Sequence, residues 1–222
     1  MALGPEPVAG TVRFAEAIEF LRRRLAITSD EWRAIWGGAG IAARAATDKM
    51  AEAVMRDLLA AVVEIIERGG TLEDFRREYR RILSDAGWST PGDPGWHSQL
   101  VFRLHTQSAY SAGRWEQAQR LQAATPNWQL YGRYVTAGDN RVRETHQQWH
   151  GIVLPIDHPF WRTHWPLNGF NCRCHVMLVR DIDLERYGWT VTPDDDPRLL
   201  IPPDAGWSGN VGITGLNLLG RA

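Results

Sequence analysis

The chain has 222 residues, a formal net charge of −1, 44% hydrophobic residues and two cysteines. That length supplies one large domain or two small ones with a core that needs no staples, and two cysteines exclude a secreted disulfide scaffold. The near-neutral charge excludes bulk DNA binding through a global positive field. The longest apolar runs, such as LLAAVVEII, are too short and interrupted to span a bilayer. The start, MALGPEPVAG, lacks the basic flank and apolar stretch of a secretory leader, so the expectation is a soluble protein, intracellular when made.

In chain order, residues 1–10 hold two prolines and two glycines and read as a flexible arm. Phe14, Ile18, Leu21 and Leu25 recur at helical spacing over residues 11–26, with Thr11 as cap. Thr28-Ser29-Asp30 introduces a short helix with Trp32, Ile35 and Trp36, ended or bent by Gly37, Gly38 and Gly40. Ala46, Met50, Val54, Leu58, Val62 and Ile65 mark one face of a long helix over 42–68, closed by Gly69 and Gly70. Thr71 caps the next helix, with Glu73 and Asp74 in its first turn. Its arginines, Arg76, Arg77, Arg80 and Arg81, read as a solvated face diluted by acids. After the breaker-rich GWSTPGDPG, a long helix over 96–123 takes Leu100, Leu104, Ala109, Trp115 and Leu121 as core, and its small residues from Ala109 to Gly113 allow close helix contact.

The character changes at Thr125-Pro126-Asn127. WQLYGRYVTA and HVMLVRD read as strands, with GIVLP as a pairing partner. The prolines, aspartates and glycines after Tyr187 break any long element, leaving a tail that wraps on its own surface or a partner's. Eleven tryptophans, most from Trp88 onward, suit a loop-rich region where large rings fill space. The pattern predicts an α+β fold. It comprises a flexible arm (1–10), a helical domain (11–124), a small strand-poor α+β domain with a Cys/His cluster (125–187), and an extended tail (188–222).

The window 137–176 holds both cysteines, Cys172 and Cys174, and five of the seven histidines: His146, His150, His158, His164 and His175. Thiolate and imidazole together point to a tetrahedral zinc site. The run RVRETHQQWH reads as a helix capped by Asp139 or Asn140, and the two cysteines of C-R-C share one side of an extended segment. The ligand set expected is His146, Cys172 and Cys174, with His164 a better fourth than His150. The plainer alternative is two reduced cysteines packed beside a hydrogen-bonded histidine. A Cys–His nucleophile is a third reading, and a zinc hydrolase using Asp139, Glu144 or Asp157 a fourth. No phosphate-cradling loop, G-x-S-x-G or H-E-x-x-H is present. Asp139 can brace the site by a bidentate pair with an arginine; recognition of an anion by Arg141 and Arg173 is the alternative.

Three runs carry a resemblance. These are T-A-x-D-x-R-V-R-x-x-H at 136–146, W-x-G-x-V-L-P at 149–155, and H-P-F-W-x-T-H-W-P-x-N-G-F-N-C-R-C at 158–174. Together they resemble the head-morphogenesis domain of phage Mu F-like minor head proteins. F-A-E-A-I-E-F-L-R-R-R-L, E-W-R-A-I-W-G-G-A, G-G-T-L-E-D-F-R-R-E-Y, A-Y-S-A-G-R-W and P-D-A-G-W-S-G-N-V-G (203–212) extend it over nearly the whole chain. Asp139, Arg141, His146, Gly151, Asn171, Cys172, Arg173 and Cys174 match the family's motif. Two positions depart from it. Gly169 stands where many members have histidine, a loss for which His164 would compensate, and Leu104-His105 replaces a threonine–asparagine pair. The resemblance implies a structural, non-enzymatic minor capsid protein of a tailed phage. Such a protein would be made in the host cytoplasm, be present in several copies in the virion, and act in head assembly with portal protein and major capsid protein near the portal vertex. The rival reading is a metal-dependent hydrolase or nuclease acting in DNA packaging or entry; contact with packaged double-stranded DNA is a third.

Overall fold

The computed structural model describes residues 15–25, 52–90, 92–207 and 209–213. The predicted arm, the Thr11 cap, the short helix around Trp32, the first part of the long helix begun at 42 and everything beyond 213 lie outside the described residues.

Helix α1 (Ala15–Leu25) packs on α2 (Glu52–Glu67) and on the long helix α4 (Pro94–Ala124). Val54, Leu58, Val62 and Ile65 are buried, as their spacing predicts. The chain turns at Gly69-Gly70 into α3 (Leu72–Asp85). Thr71 starts this helix with a capping box: its N–H donates to Asp74 Oδ2 at 2.7 Å, and the Asp74 N–H donates back to Thr71 Oγ1 at 3.3 Å. One face of α3 buries Phe75, Tyr79, Ile82 and Leu83. On the other, Arg76, Arg77, Arg80 and Arg81 pair with Glu73, Asp74, Glu78 and Asp85, the solvated ion lattice expected from their dilution.

Asp93 accepts from the Gly95 N–H at 2.8 Å and caps α4, which begins at Pro94, ahead of the predicted Trp96. At 31 residues it is about 46 Å long, and its two halves bury different faces. Val101, Ala109 and Ala112 join the helical core, whereas Trp115 and Ala118 join the core of the following unit. A strict stripe drifts over that length, which corrects one expectation: Leu121 is exposed and Leu100 half-buried, while Leu104, half-buried too, packs against the helical core. The small residues Ala109, Ser111, Ala112 and Gly113 are buried, as close contact requires.

Three antiparallel strands follow among the described residues, in the order β2-β1-β3: β1 (Leu130–Val135), β2 (Val153–Pro155) and β3 (His175–Arg180). Arg133 stands opposite Val153 and Met177, which fixes the register. Leu130, Gly132 and Tyr134 point inward, the period-2 alternation read from WQLYGRYVTA. Short helices fill the connections: α5 (Glu144–Gln148), α6 (Trp161–His164) and α7 (Asp181–Tyr187). The predicted RVRETHQQWH helix is therefore a single turn and a half. Its N-cap is Arg143, without a side-chain hydrogen bond, and not Asp139 or Asn140.

Beyond Gly188 the chain returns over its own domain. The Thr192 N–H donates to Val153 O at 2.8 Å along the β2 edge, a 3₁₀ turn spans Pro197–Leu200, and Val211 reaches the helical core. The described part of the tail therefore covers its own domain. No helix among the described residues is long and apolar enough to cross a membrane.

Candidate metal centre

His146, Cys172 and Cys174 come together from two distant segments, the one group of this kind among the described residues. His146 sits in α5, buried, with its ring stacked on Trp149 at 4.9 Å. Gly151, at φ +83, then turns the chain into β2, where its N–H donates to Tyr134 O at 2.9 Å; a side chain would be strained there. This turn locks α5 against β1 and so aims the imidazole.

The cysteines come from the other side. Asn171 adopts φ +53, a left-handed conformation that asparagine tolerates better than most residues. It swings Cys172 into the core, beneath Leu167 and Trp207. In the extended C-R-C run the thiols point inward and Arg173 outward. Arg173 then meets Asp139 in a bidentate pair, at 2.6 and 2.7 Å, which ties the segment leading to His146 onto the cysteine segment that precedes β3. Asp139 also accepts from the Arg141 N–H at 3.1 Å, while the Arg141 side chain stays largely exposed.

The donor set and spacing fit zinc. His146 Nδ1 lies 3.7 Å from Cys172 Sγ and 3.6 Å from Cys174 Sγ. A tetrahedral ion with ordinary Zn–S and Zn–N bonds sets sulfur and nitrogen about 3.6 Å apart. The thiols share a proton unequally. A hydrogen bond from Cys174, helped by His146 and opposed by burial, lowers the Cys172 pKa, while the same bond and burial push Cys174 up. A thiolate is the form a metal binds, so binding would displace thiol protons. A cavity of about 660 Å³, lined by Tyr110, Ser111 and Arg114 of α4 and by Cys172–Val176, leads to the cysteines.

His164 is not in this group. One ring nitrogen, Nε2, bonds Ile201 O at 2.8 Å and the other meets the Thr163 hydroxyl at 2.8 Å, with the ring stacked on Phe160 at 4.0 Å. Trp149 meets that imidazole in a T-shaped contact and stacks on His146. His150 is also engaged elsewhere, its Nδ1 accepting from the Thr136 N–H at 3.2 Å.

The residue that sequence reasoning missed is Asp204. Its Oδ2 pairs with Arg143 Nε at 2.9 Å and its Oδ1 lies 3.5 Å from His146 Nε2. Its signal was faint, membership of the P-D-A-G-W-S-G-N-V-G run. A Cβ at Gly169 would overlap its carboxylate, 2.9 Å from Cγ. So Asp204 stands beside the very position where His164 was expected to compensate.

A family profile described as Phage Mu protein F like protein matches residues 56–177, more than half of the chain and all three clustered donors. The chain is similar to the putative capsid assembly protein F of Escherichia phage Mu, 30% identical over a 216-residue alignment that covers 73% of this chain and 47% of that protein. It is 28% identical to the Mu-like prophage FluMu F protein of Haemophilus influenzae over 145 residues, 61% of this chain and 34% of that protein. The chain therefore spans less than half the length of either curated relative. No solved structure matches it. With the profile running from α2 through β3, across the helical layer, the sheet and the His/Cys cluster alike, the chain belongs to the Phage Mu protein F like family.

Proposed function

We propose that this chain is a structural component of a tailed-phage head, acting in capsid assembly as a minor head protein near the portal vertex. The observation that carries the reading is the similarity to a relative named a capsid assembly protein, which spans most of this chain. Its partners would be portal and major capsid protein, and its place the inner face of the particle. Quantitative mass spectrometry of purified particles tests this. A few to some tens of copies per particle are expected, and absence from particles would overturn it.

Within that role, His146, Cys172 and Cys174 are proposed to hold a zinc ion whose service is structural. When bound, zinc would cross-link α5 to the C-R-C segment, in a region with little hydrogen-bonded ladder, and its binding free energy would add to folding. Three protein donors beside a cavity also fit a catalytic zinc, which keeps one position for water. Two carboxylates tied to the cluster's own segments weigh against that use. Asp139 is engaged by Arg173 and Asp204 by Arg143, so neither is poised as a general base. The two readings separate on His146→Ala. Loss of metal with a lower melting temperature supports the structural role; an unchanged melting temperature with loss of a hydrolytic activity supports the enzyme.

A further inference from the structure

His146 must carry its proton on a particular nitrogen to act as a ligand. Nδ1 faces the two sulfurs, so its lone pair is the one available to a metal, and the single N–H of a neutral imidazole must then sit on Nε2. Nε2 is buried and makes no hydrogen bond of normal geometry; Asp204 Oδ1 lies 3.5 Å from it. Ligating histidines almost always donate their second N–H to a carboxylate, carbonyl or water, which fixes ring and tautomer. Asp204 is well held for that task. Its N–H donates to Asn168 O at 3.2 Å, its carbonyl accepts from the Trp207 N–H at 2.9 Å, and Arg143 balances its charge. Its seat exists because residue 169 has no side chain.

Asp204 also begins the segment that ties the two layers together. Trp207 packs against Leu167 and Cys172, with its ring edge-on to Phe170 at 5.1 Å. The Asn210 N–H donates to Arg162 O at 3.0 Å, and Val211 inserts among the helices. We infer that Asp204 is the positioning residue for His146, and that metal binding and docking of residues 204–207 and 209–211 reinforce one another through this contact. This rests on the metal-centre reading above. By linkage, whatever factor the docked segment adds to metal affinity, the metal adds to docking of the segment. The metal centre then acts as a clasp that closes the segment over the sheet unit and fastens it to the helical layer.

The test uses the full chain, cobalt(II) as probe and two readouts. One is titration of the sulfur-to-cobalt charge-transfer band. The other is hydrogen exchange over residues 204–211 with metal and with chelator. Chelation of the wild type should raise exchange across the segment. Asp204→Ala should weaken cobalt binding about 10–100-fold while keeping one ion per chain and the same band, as expected for loss of an outer partner. Gly169→Ala, which displaces the carboxylate, should do likewise, and Asp204→Asn, which keeps an oxygen acceptor, should recover most of the affinity. If wild type binds cobalt but Asp204→Ala binds it as tightly, or exchange ignores the metal, the inference fails and the metal centre stands. If wild type gives no charge-transfer band, the metal-centre reading fails first and takes the inference with it. The wild-type exchange experiment needs no variant, so misfolding of a mutant cannot shelter the idea.

Discussion

Gly132 lies in the middle of the central strand, and replacing it with alanine is a sharp test of the packing. A Cβ there would stand 2.8 and 3.0 Å from two carbons of the Trp161 indole and 2.9 Å from Val176 Cγ1. Carbon pairs prefer about 3.5–4.0 Å, so each neighbour would have to retreat by roughly 0.5–1 Å. The backbone cannot retreat freely, since Gly132 is paired with Leu154 on one side and Leu178 on the other. The ring is held as well: Trp161 is fully buried and its indole N–H donates to Pro155 O at 2.9 Å. Overpacking of this kind costs about 1–3 kcal/mol, offset by about 0.4–1 kcal/mol from the stiffer unfolded chain. The net expectation for Gly132→Ala is a loss of about 1–2 kcal/mol, or about 2–8 °C in melting temperature for a chain of this size. Urea denaturation followed by tryptophan fluorescence measures it. Val176→Ala, destabilising alone, should cost less in the Gly132→Ala background because it vacates one of the crowded positions. A Gly132→Ala variant as stable as wild type would refute the close seat of Trp161 on β1.

Other outcomes follow from the same contacts. Tyr79→Phe should cost about 1–3 kcal/mol, because the Tyr79 hydroxyl lies 2.5 Å from buried His97 Nδ1, whose partner would be lost. Burial lowers the His97 pKa, so the unfolded chain binds the proton more readily; stability should hold above about pH 6.5 and fall below it, by up to about 1.4 kcal/mol per pH unit, in melts between pH 7 and 5. Hydrogen bonds from Arg173 hold the Asp139 carboxyl well below its usual range, so Asp139→Asn should lower the melting temperature at neutral pH. That difference should fade as the pH falls below about 4, where the unfolded wild-type chain takes up a proton on this carboxyl that the folded chain still resists. His164→Gln should lower stability yet leave metal stoichiometry unchanged by mass spectrometry; loss of the ion would return His164 to the ligand set.

Features written in consecutive residues were the legible ones. The Thr71 start of α3 needs only a hydroxyl and an acid three positions on, and the period-2 pattern around Gly132 names both the strand and its inward face. The cluster was legible for a chemical reason, since thiols are scarce here and a single C-R-C pair beside histidines narrows the choice to a few residues. Its fourth neighbour was not. The chain has 26 acidic residues, and nothing local marks Asp204 among them. It reaches His146 only because the tail doubles back and because position 169 lacks a side chain. His164 misled for the converse reason: it lies close to the cysteines in sequence, but α6 directs its ring to Phe160 and Ile201. Leu121 failed on geometry, as the buried face changes along α4.

The region between β1 and β3 shows why such a cluster and so many indoles occur together. From residue 136 to 174 the backbone has one short strand and two helices of five and four residues, too little ladder to hold its own position. Shape must come from side chains instead. Trp149, Trp161 and Trp165 are fully buried there, and the Trp165 indole N–H donates to Ser111 O of α4 at 3.0 Å, which pins the loops to the helical layer. The Asp139–Arg173 pair closes the outer side and the thiol–imidazole cluster the inner side of the same two segments. An indole fills volume but tolerates sliding, whereas a bidentate pair is directional, as the thiol–imidazole donors would be on binding an ion. The division of labour follows: the rings supply burial, and the directional groups select one arrangement among the many that burial alone would permit.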